Sequence, residues 1–253
     1  MSSTPIWVFN TLTVKLFLQA ALDVLFPPLC HICRSFIPNT GELHICSECR
    51  ERLPLVSSPF CTICGIPFIG AGDNHPCGQC QTHPPHFDAA RAHLLYDGSA
   101  RDLIHYFKYR YKIHLRRPLV LLTLEGLTEF ITSRAPDVII PVPLHRSRLQ
   151  SRGFNQSVLL GNLFSSRLSI PMVVDGLARI RQTESQADLS AEARRNNVKG
   201  AFAAQRPGDI SGKRILLLDD VMTTGSTVNE CARVLKKASA ASVVVAAIAR
   251  AVK

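Results

Sequence analysis

The chain has 253 residues, of which 46% are hydrophobic and 19% charged, with a formal net charge of +10. Those proportions exclude a disordered or low-complexity chain and leave room for one large or two modest folded domains. Met1–Phe87 carries 4 basic and 5 acidic residues, whereas Asp88–Lys253 carries 25 and 14. The positive charge therefore belongs to the C-terminal two-thirds and suits an anionic partner, either a phosphorylated small molecule or a nucleic acid.

Ile6–Phe26 is apolar, but Asn10, Lys15, Gln19 and Asp23 interrupt it. It is too polar for a membrane span and lacks the basic start and cleavage site of a signal peptide. Leucines at helical spacing predict an amphipathic helix over 1–27 that docks on the body of the protein, and the expected location is cytoplasmic.

Eight of nine cysteines form four C-x-x-C pairs: Cys30/Cys33, Cys46/Cys49, Cys61/Cys64 and Cys77/Cys80. Each cysteine of the first two pairs has a counterpart 31 positions later, so 28–86 reads as an internal duplication. Two such knuckles supply the four thiolates of a tetrahedral zinc shell, and four knuckles supply two shells. A disulfide framework would need an oxidising compartment, and a redox C-x-x-C explains one pair, not a doubled array. Closed four-thiolate shells leave no position for water, so both zinc sites are structural. Spacing leaves open whether successive or alternating knuckles share a metal; successive pairing is the simpler, because each repeat then closes its own site. Cys231, among Val228, Ala232 and Leu235 at helical spacing, reads as a core residue.

From 87 to 253 apolar strands alternate with helices. Strands are expected at Ala92–Asp97, Asp137–Pro143, Pro171–Ile180 (extended), Arg214–Asp220 and Ser242–Arg250. Helices are expected at Ala100–Arg110, Pro118–Arg134, Gln156–Leu168 and Thr227–Ala238. This alternation predicts an α/β fold, a parallel sheet with helices on both faces and ligands at the carboxyl ends of the strands. The run Lys108–Arg117 has five basic residues, His114 and interleaved Tyr109 and Tyr111. That pattern fits single-stranded nucleic acid and equally fits a solvated helix end.

The most informative stretch is RILLLDDVMTTGSTVNE, Arg214–Glu230. A buried strand ends in adjacent carboxylates, Asp219 and Asp220, and Thr223, Thr224, Gly225, Ser226 and Thr227 lead into a helix. Small residues at a helix N-terminus let backbone N–H groups hold a phosphate. Carboxylates repel phosphate but accept hydrogen bonds from sugar hydroxyls, so one loop can read a ribose 5-phosphate at both ends. The magnesium strand of a P-loop enzyme also ends in acids, but GDISGKR (Gly208–Arg214) has the wrong spacing and precedes a strand.

ILLLDDVMTTGST resembles the phosphoribosyl diphosphate (PRPP) signature of type I phosphoribosyltransferases. Together with Pro141–Ser157, Arg181–Phe202 and the doubled knuckles, the chain resembles the ComF family of competence-associated proteins. The resemblance implies that Asp219 and Asp220 hold the ribose hydroxyls and favour a cationic transition state, and that Thr223–Thr227 cradle the 5-phosphate. It implies that Val142, Pro143 and Leu144 line a diphosphate turn neutralised by Arg146, Arg148 or Arg152, with Mg2+ bridging diphosphate and ribose. It further implies that 181–202 is a flap bringing Arg181, Gln186, Arg194 and Arg195 toward the diphosphate and excluding water. Two functions follow: phosphoribosyl transfer to an unidentified acceptor in the context of DNA uptake, or a non-catalytic PRPP-sensing adaptor on a DNA-translocating motor.

Overall fold

The computed structural model describes residues 27–38, 41–183 and 191–252. All but the last residue of the helix expected over 1–27 and the flap residue Gln186 lie outside them, as do the side chains of Arg194 and Arg195. The chain divides into two compact units, Met1–Glu51 and Arg52–Lys253. Among the described residues no helix is long and apolar enough to cross a membrane.

The first unit holds one cysteine ribbon, and the second opens with its copy. The same features recur 31 positions on. Leu29 bridges Phe36 as Phe60 bridges Pro67. The amide of Cys30 donates to the Ser35 carbonyl, and that of Cys61 to Ile66. The one-turn helices α1 (Ser47–Glu51) and α2 (Gly78–Thr82) follow at the same offset.

Beyond the second ribbon come β1 (Ala89–Leu95), α3 (Gly98–Tyr109), α4 (Arg116–Ser133), β2 (Val138–Pro141), α5 (Arg146–Arg152), α6 (Gln156–Leu168) and β3 (Leu177–Arg179). They are followed by α7 (Ala191–Val198), β4 (Phe202–Ala204), α8 (Pro207–Ile210), β5 (Arg214–Met222), α9 (Ser226–Lys237) and β6 (Ser242–Arg250). The main sheet has the order β1-β6-β5-β2, all parallel. The middle of each central strand, Ile215–Leu218 and Val243–Ala249, is a continuous buried apolar run because helices cover both faces. Ile140, Leu217 and Val245 meet Cys231 and Leu235 of α9 on one face. By alternation the neighbouring residues point the other way, where Leu218 lies beside Gly161 of α6. Cys231 is fully buried, and burial pushes its thiol well up, as expected of a core cysteine.

Several expectations shift in detail, among them the first strand, expected at Ala92–Asp97 and observed at Ala89–Leu95. Of Pro171–Ile180 only Leu177–Arg179 is a strand, paired antiparallel with β4 as a separate two-stranded sheet. β5 runs on through both aspartates to Met222. Helix α5 has no counterpart among the expected elements, because RSRLQSR carries no apolar stripe, and it buries no residue.

Candidate functional site

The ends of β2 and β5 are neighbours. Pro141 pairs with Leu218, and the Val142 amide donates to the Leu218 carbonyl at 2.9 Å. This pairing places the turn Val142-Pro143-Leu144 beside Asp219. Val142 and Pro143 are buried. Asn155 fixes the turn from below, its side-chain amide donating to the Val142 carbonyl at 3.1 Å while its Oδ1 caps α6 by accepting from the Ser157 amide.

Asp219 and Asp220 are 9% and 4% exposed. The Ser157 hydroxyl (3.4 Å) and the Asp220 amide (2.9 Å) donate to Asp219 Oδ1. Burial, and then the charge of Asp220, push the Asp219 carboxyl up to about 7, against the opposing pull of Lys108 and these donors. Asp220 Oδ1 lies 2.9 Å from Lys108 Nζ, whereas its buried Oδ2 has no partner among the described residues.

The loop after β5 turns through Gly225, whose φ of 78° is the left-handed conformation glycine adopts without strain. Gly225 precedes the first turn of α9, where the Ser226 amide donates to Thr224 Oγ1 at 3.4 Å. The hydroxyls of Thr224 and Ser226 are 2.7 Å apart. Thr223 and Thr227 are half-buried beside them.

The arginines divide. Arg148 is half-buried and close enough to lower the affinity of Arg179 for its proton, an effect second to burial. Arg146 is exposed. Arg152 donates to Gln156 Oε1 at 2.7 Å and stacks over the Tyr109 ring at 4.9 Å, so it faces α3. Arg181 donates to the carbonyls of Asn197 and Lys199, both at 2.8 Å, and ties together the base of the expected flap.

Sequence reasoning misses two residues. Lys108 reads as part of a basic surface run, but its side chain is 13% exposed and paired with Asp220. The signal that could have found it is its position four after buried Ile104, on the inner stripe of α3. Arg179 of β3 stacks on Phe202, bonds to Thr183, lies near Asp219 and keeps its buried Nε without a partner among the described residues. No pattern in the sequence marks it.

The cysteines gather as successive knuckles: Cys30, Cys33, Cys46 and Cys49 in the first unit, and Cys61, Cys64, Cys77 and Cys80 in the second. Within each set the sulfurs lie within 4.8 Å of one another. That thiolate set fits structural zinc. Burial raises the Cys61 thiol, but amides of Cys64, Cys77 and Ile63 outweigh it and bring the thiol down to about 6, while burial pushes the Cys64 and Cys80 thiols up. A tetrathiolate zinc carries about −2, and two arginines from the sheet stand beside the second one. Arg91 donates to the carbonyls of Cys61 and Thr62, and Arg250, 4% exposed, lines a cavity of about 560 Å3 with Cys64, Cys77 and Cys80. Thr224, Gly225 and Ser226 of the loop after β5 line the same cavity.

A parallel β1-β6-β5-β2 sheet with an acid pair and a hydroxyl-glycine turn at the end of β5 defines a phosphoribosyltransferase-type domain, here preceded by a double zinc ribbon. Family models agree, with a double zinc ribbon domain matching residues 21–81 and a phosphoribosyl transferase domain matching residues 155–252. The chain belongs to the ComF family. It is 37% identical over 153 residues to "Competence protein F" of Haemophilus influenzae, covering 59% of this chain and 67% of that protein. It is 39% identical over 151 residues to "DNA utilization protein YhgH" of Escherichia coli K12, covering 58% and 66% respectively. Among solved structures, a purine phosphoribosyltransferase of Pyrococcus horikoshii aligns at 25% identity and a TM-score of 0.30 over 51% of this chain and 71% of that one. Glutamine PRPP amidotransferase of Bacillus subtilis aligns at 24% and 0.32 over 45% and 22%.

Proposed function

We propose that this chain binds PRPP with its 5-phosphate on Thr223–Thr227 and its ribose hydroxyls on Asp219 and Asp220, and transfers the phosphoribosyl group to an acceptor during DNA uptake in the cytoplasm. The observation that carries this reading is the joining of a buried acid pair and a phosphate-type loop in one strand–turn–helix, beside the turn at Val142–Leu144. The diphosphate falls to that turn and to Arg148, with Arg146 at the rim and Arg152 held on the α3 side. Mg2+, arriving with the diphosphate, supplies neutralising charge.

In the transfer the bond between C1 and diphosphate oxygen breaks and its electron pair leaves with the diphosphate. A lone pair of the acceptor forms the new bond to C1, and the acceptor loses its proton. Positive charge that develops at C1 is favoured by carboxylates held ready nearby, which need no reorganisation. The segment 181–202, with Arg181 at its base and Gln186 within it, closes over the reacting centre and keeps water from it.

Calorimetric titration with PRPP, with and without Mg2+, tests the reading. Saturable binding that Asp219→Asn/Asp220→Asn abolishes is expected; unchanged binding in that double variant would remove the assignment.

A second reading concerns single-stranded DNA. Tyr106, Tyr109, Tyr111 and Ile113 are 41%, 55%, 63% and 45% exposed, and Arg152 stacks on Tyr109. Exposed rings among cations suit stacked bases, and relatives are named for competence and DNA utilization. Under this reading the chain is an adaptor handing single strands to a DNA-translocating motor, with PRPP as its signal.

A further inference from the structure

Lys108 is the cation that the acid pair keeps for itself. Its ammonium and Asp220 are both nearly out of water, at 13% and 6% exposure, and 2.9 Å apart. A surface lysine has no reason to be buried, because removing an ammonium from water is unfavourable unless a partner is in place. Helix α3 makes the choice visible. Tyr106 and Tyr109 of its last turn stand in solvent, while Lys108 turns in beside fully buried Phe107.

The oxygens of the acid pair are unequally served. Asp219 Oδ1 already accepts from Ser157 and from the Asp220 amide. Asp220 Oδ1 faces Lys108. Asp220 Oδ2 is buried with no donor among the described residues, an arrangement that persists when a ligand supplies the missing donor. A metal ion at Oδ2 would sit on the same carboxylate as the ammonium, and like charges at that separation repel strongly in a buried site. A hydroxyl meets no such objection.

We propose that Lys108 is a specificity-determining residue: a resident ammonium that takes a divalent cation's place at Asp220, so that the free site selects a sugar hydroxyl and admits a metal only together with a ligand's diphosphate. This rests on the PRPP reading for the identity of the sugar, but not for the behaviour of the metal. Lys108 thereby leaves the nucleic-acid surface and joins the sugar site.

The test uses the full-length, zinc-loaded protein in metal-depleted buffer without chelator, so that the ribbons stay intact. Mn2+ binding is read by electron paramagnetic resonance. The wild type is expected to show no site at the acid pair without ligand. Lys108→Met should create one, with Mn2+ affinity tighter by about tenfold or more, and Lys108→Met/Asp220→Asn should lose it. Lys108→Arg, keeping the charge, should behave as wild type. Ribose 5-phosphate titrated into wild type should bind without divalent metal.

Equal Mn2+ affinity in wild type and Lys108→Met, or ribose 5-phosphate binding that requires Mg2+, would overturn the proposal. Because the ribose 5-phosphate arm needs no variant, it decides even if Lys108→Met fails to fold. If PRPP does not bind while Lys108→Met gains the Mn2+ site, the PRPP reading falls and the role of Lys108 stands. If PRPP binds and no Mn2+ site appears, the reverse holds.

Discussion

Gly65 of the second ribbon lies so close to β1 that an added Cβ would sit 2.6 Å from the carbonyl oxygen of Ala90. Its left-handed φ of 68° is not by itself the reason for glycine, since Arg34, its counterpart in the first ribbon, holds φ 66° with a full side chain. Contact with β1 is the reason: the Ala90 amide donates to the Ile63 carbonyl at 2.7 Å, and Arg91 reaches into the same knuckle. A side chain here must push backbone from backbone. Gly65→Ala should therefore lower stability by about 1–3 kcal/mol, measured by urea denaturation. Arg34→Gly should shift it by less than about 1 kcal/mol.

The second zinc site should depend on the sheet that holds it. Arg250 and Arg91 offset the charge of its thiolates, and Arg250 is buried against Cys64. Loss of a group surrounding a metal's ligands weakens binding about ten- to a hundredfold. Arg250→Met should weaken one of two zinc ions by that factor in competition with a chromophoric chelator and leave the other in place.

How much of this was legible depends on what each feature needs. The run Ile215–Leu218, the two aspartates and Gly225 announce a strand, a buried acid pair and a turn through local chemistry. The cysteine period announces two ribbons, and folding selects successive knuckles over alternating ones. By contrast, β3 and β4 are three residues each and find one another across the 22 residues between Arg179 and Phe202, which no local pattern reports. Helix α5 is set by a capping His145, whose ring accepts from the Ser147 amide, and by left-handed Gly153 at its end. Lys108 is hidden by its neighbours: five basic residues in ten look like a surface, and only the stripe through Ile104 separates the one that turns inward.

Asp219 should leave a signature in the pH dependence of stability. Its carboxyl titrates at about 7 in the folded chain, above the ordinary 3.8. The folded state therefore keeps a proton that the unfolded state releases. The stabilisation this gives is complete below about pH 4 and is lost as pH rises through about 7. Between about pH 5 and pH 8 the wild type should lose about 2–3 kcal/mol relative to Asp219→Asn. The difference between the two proteins, by urea denaturation at each pH, cancels the pH dependence of zinc binding.

The phosphate-type loop should depend on Gly225 for conformation. At φ 78° a Cβ would meet nothing closer than 3.8 Å, to Met222, so strain rather than collision opposes a side chain. Gly225→Ala should cost about 1–2 kcal/mol and, if the loop holds the 5-phosphate, weaken PRPP and ribose 5-phosphate together. Unequal losses would place the phosphate elsewhere.

The tyrosine platform separates stacking from charge. Tyr109→Ala/Tyr111→Ala should reduce affinity for a short oligodeoxythymidine by about 1–3 kcal/mol per stacked base, with the salt dependence unchanged. Arg110→Ala/Lys112→Ala, which removes two exposed cations, should instead flatten the plot of log affinity against log salt by about 0.7 for each phosphate that is no longer neutralised. Lys108→Met should leave that slope as it is, because its ammonium faces Asp220 and not solvent. A slope that Lys108→Met alters as much as Arg110→Ala does would return Lys108 to the surface and the basic run to a single nucleic-acid-binding face.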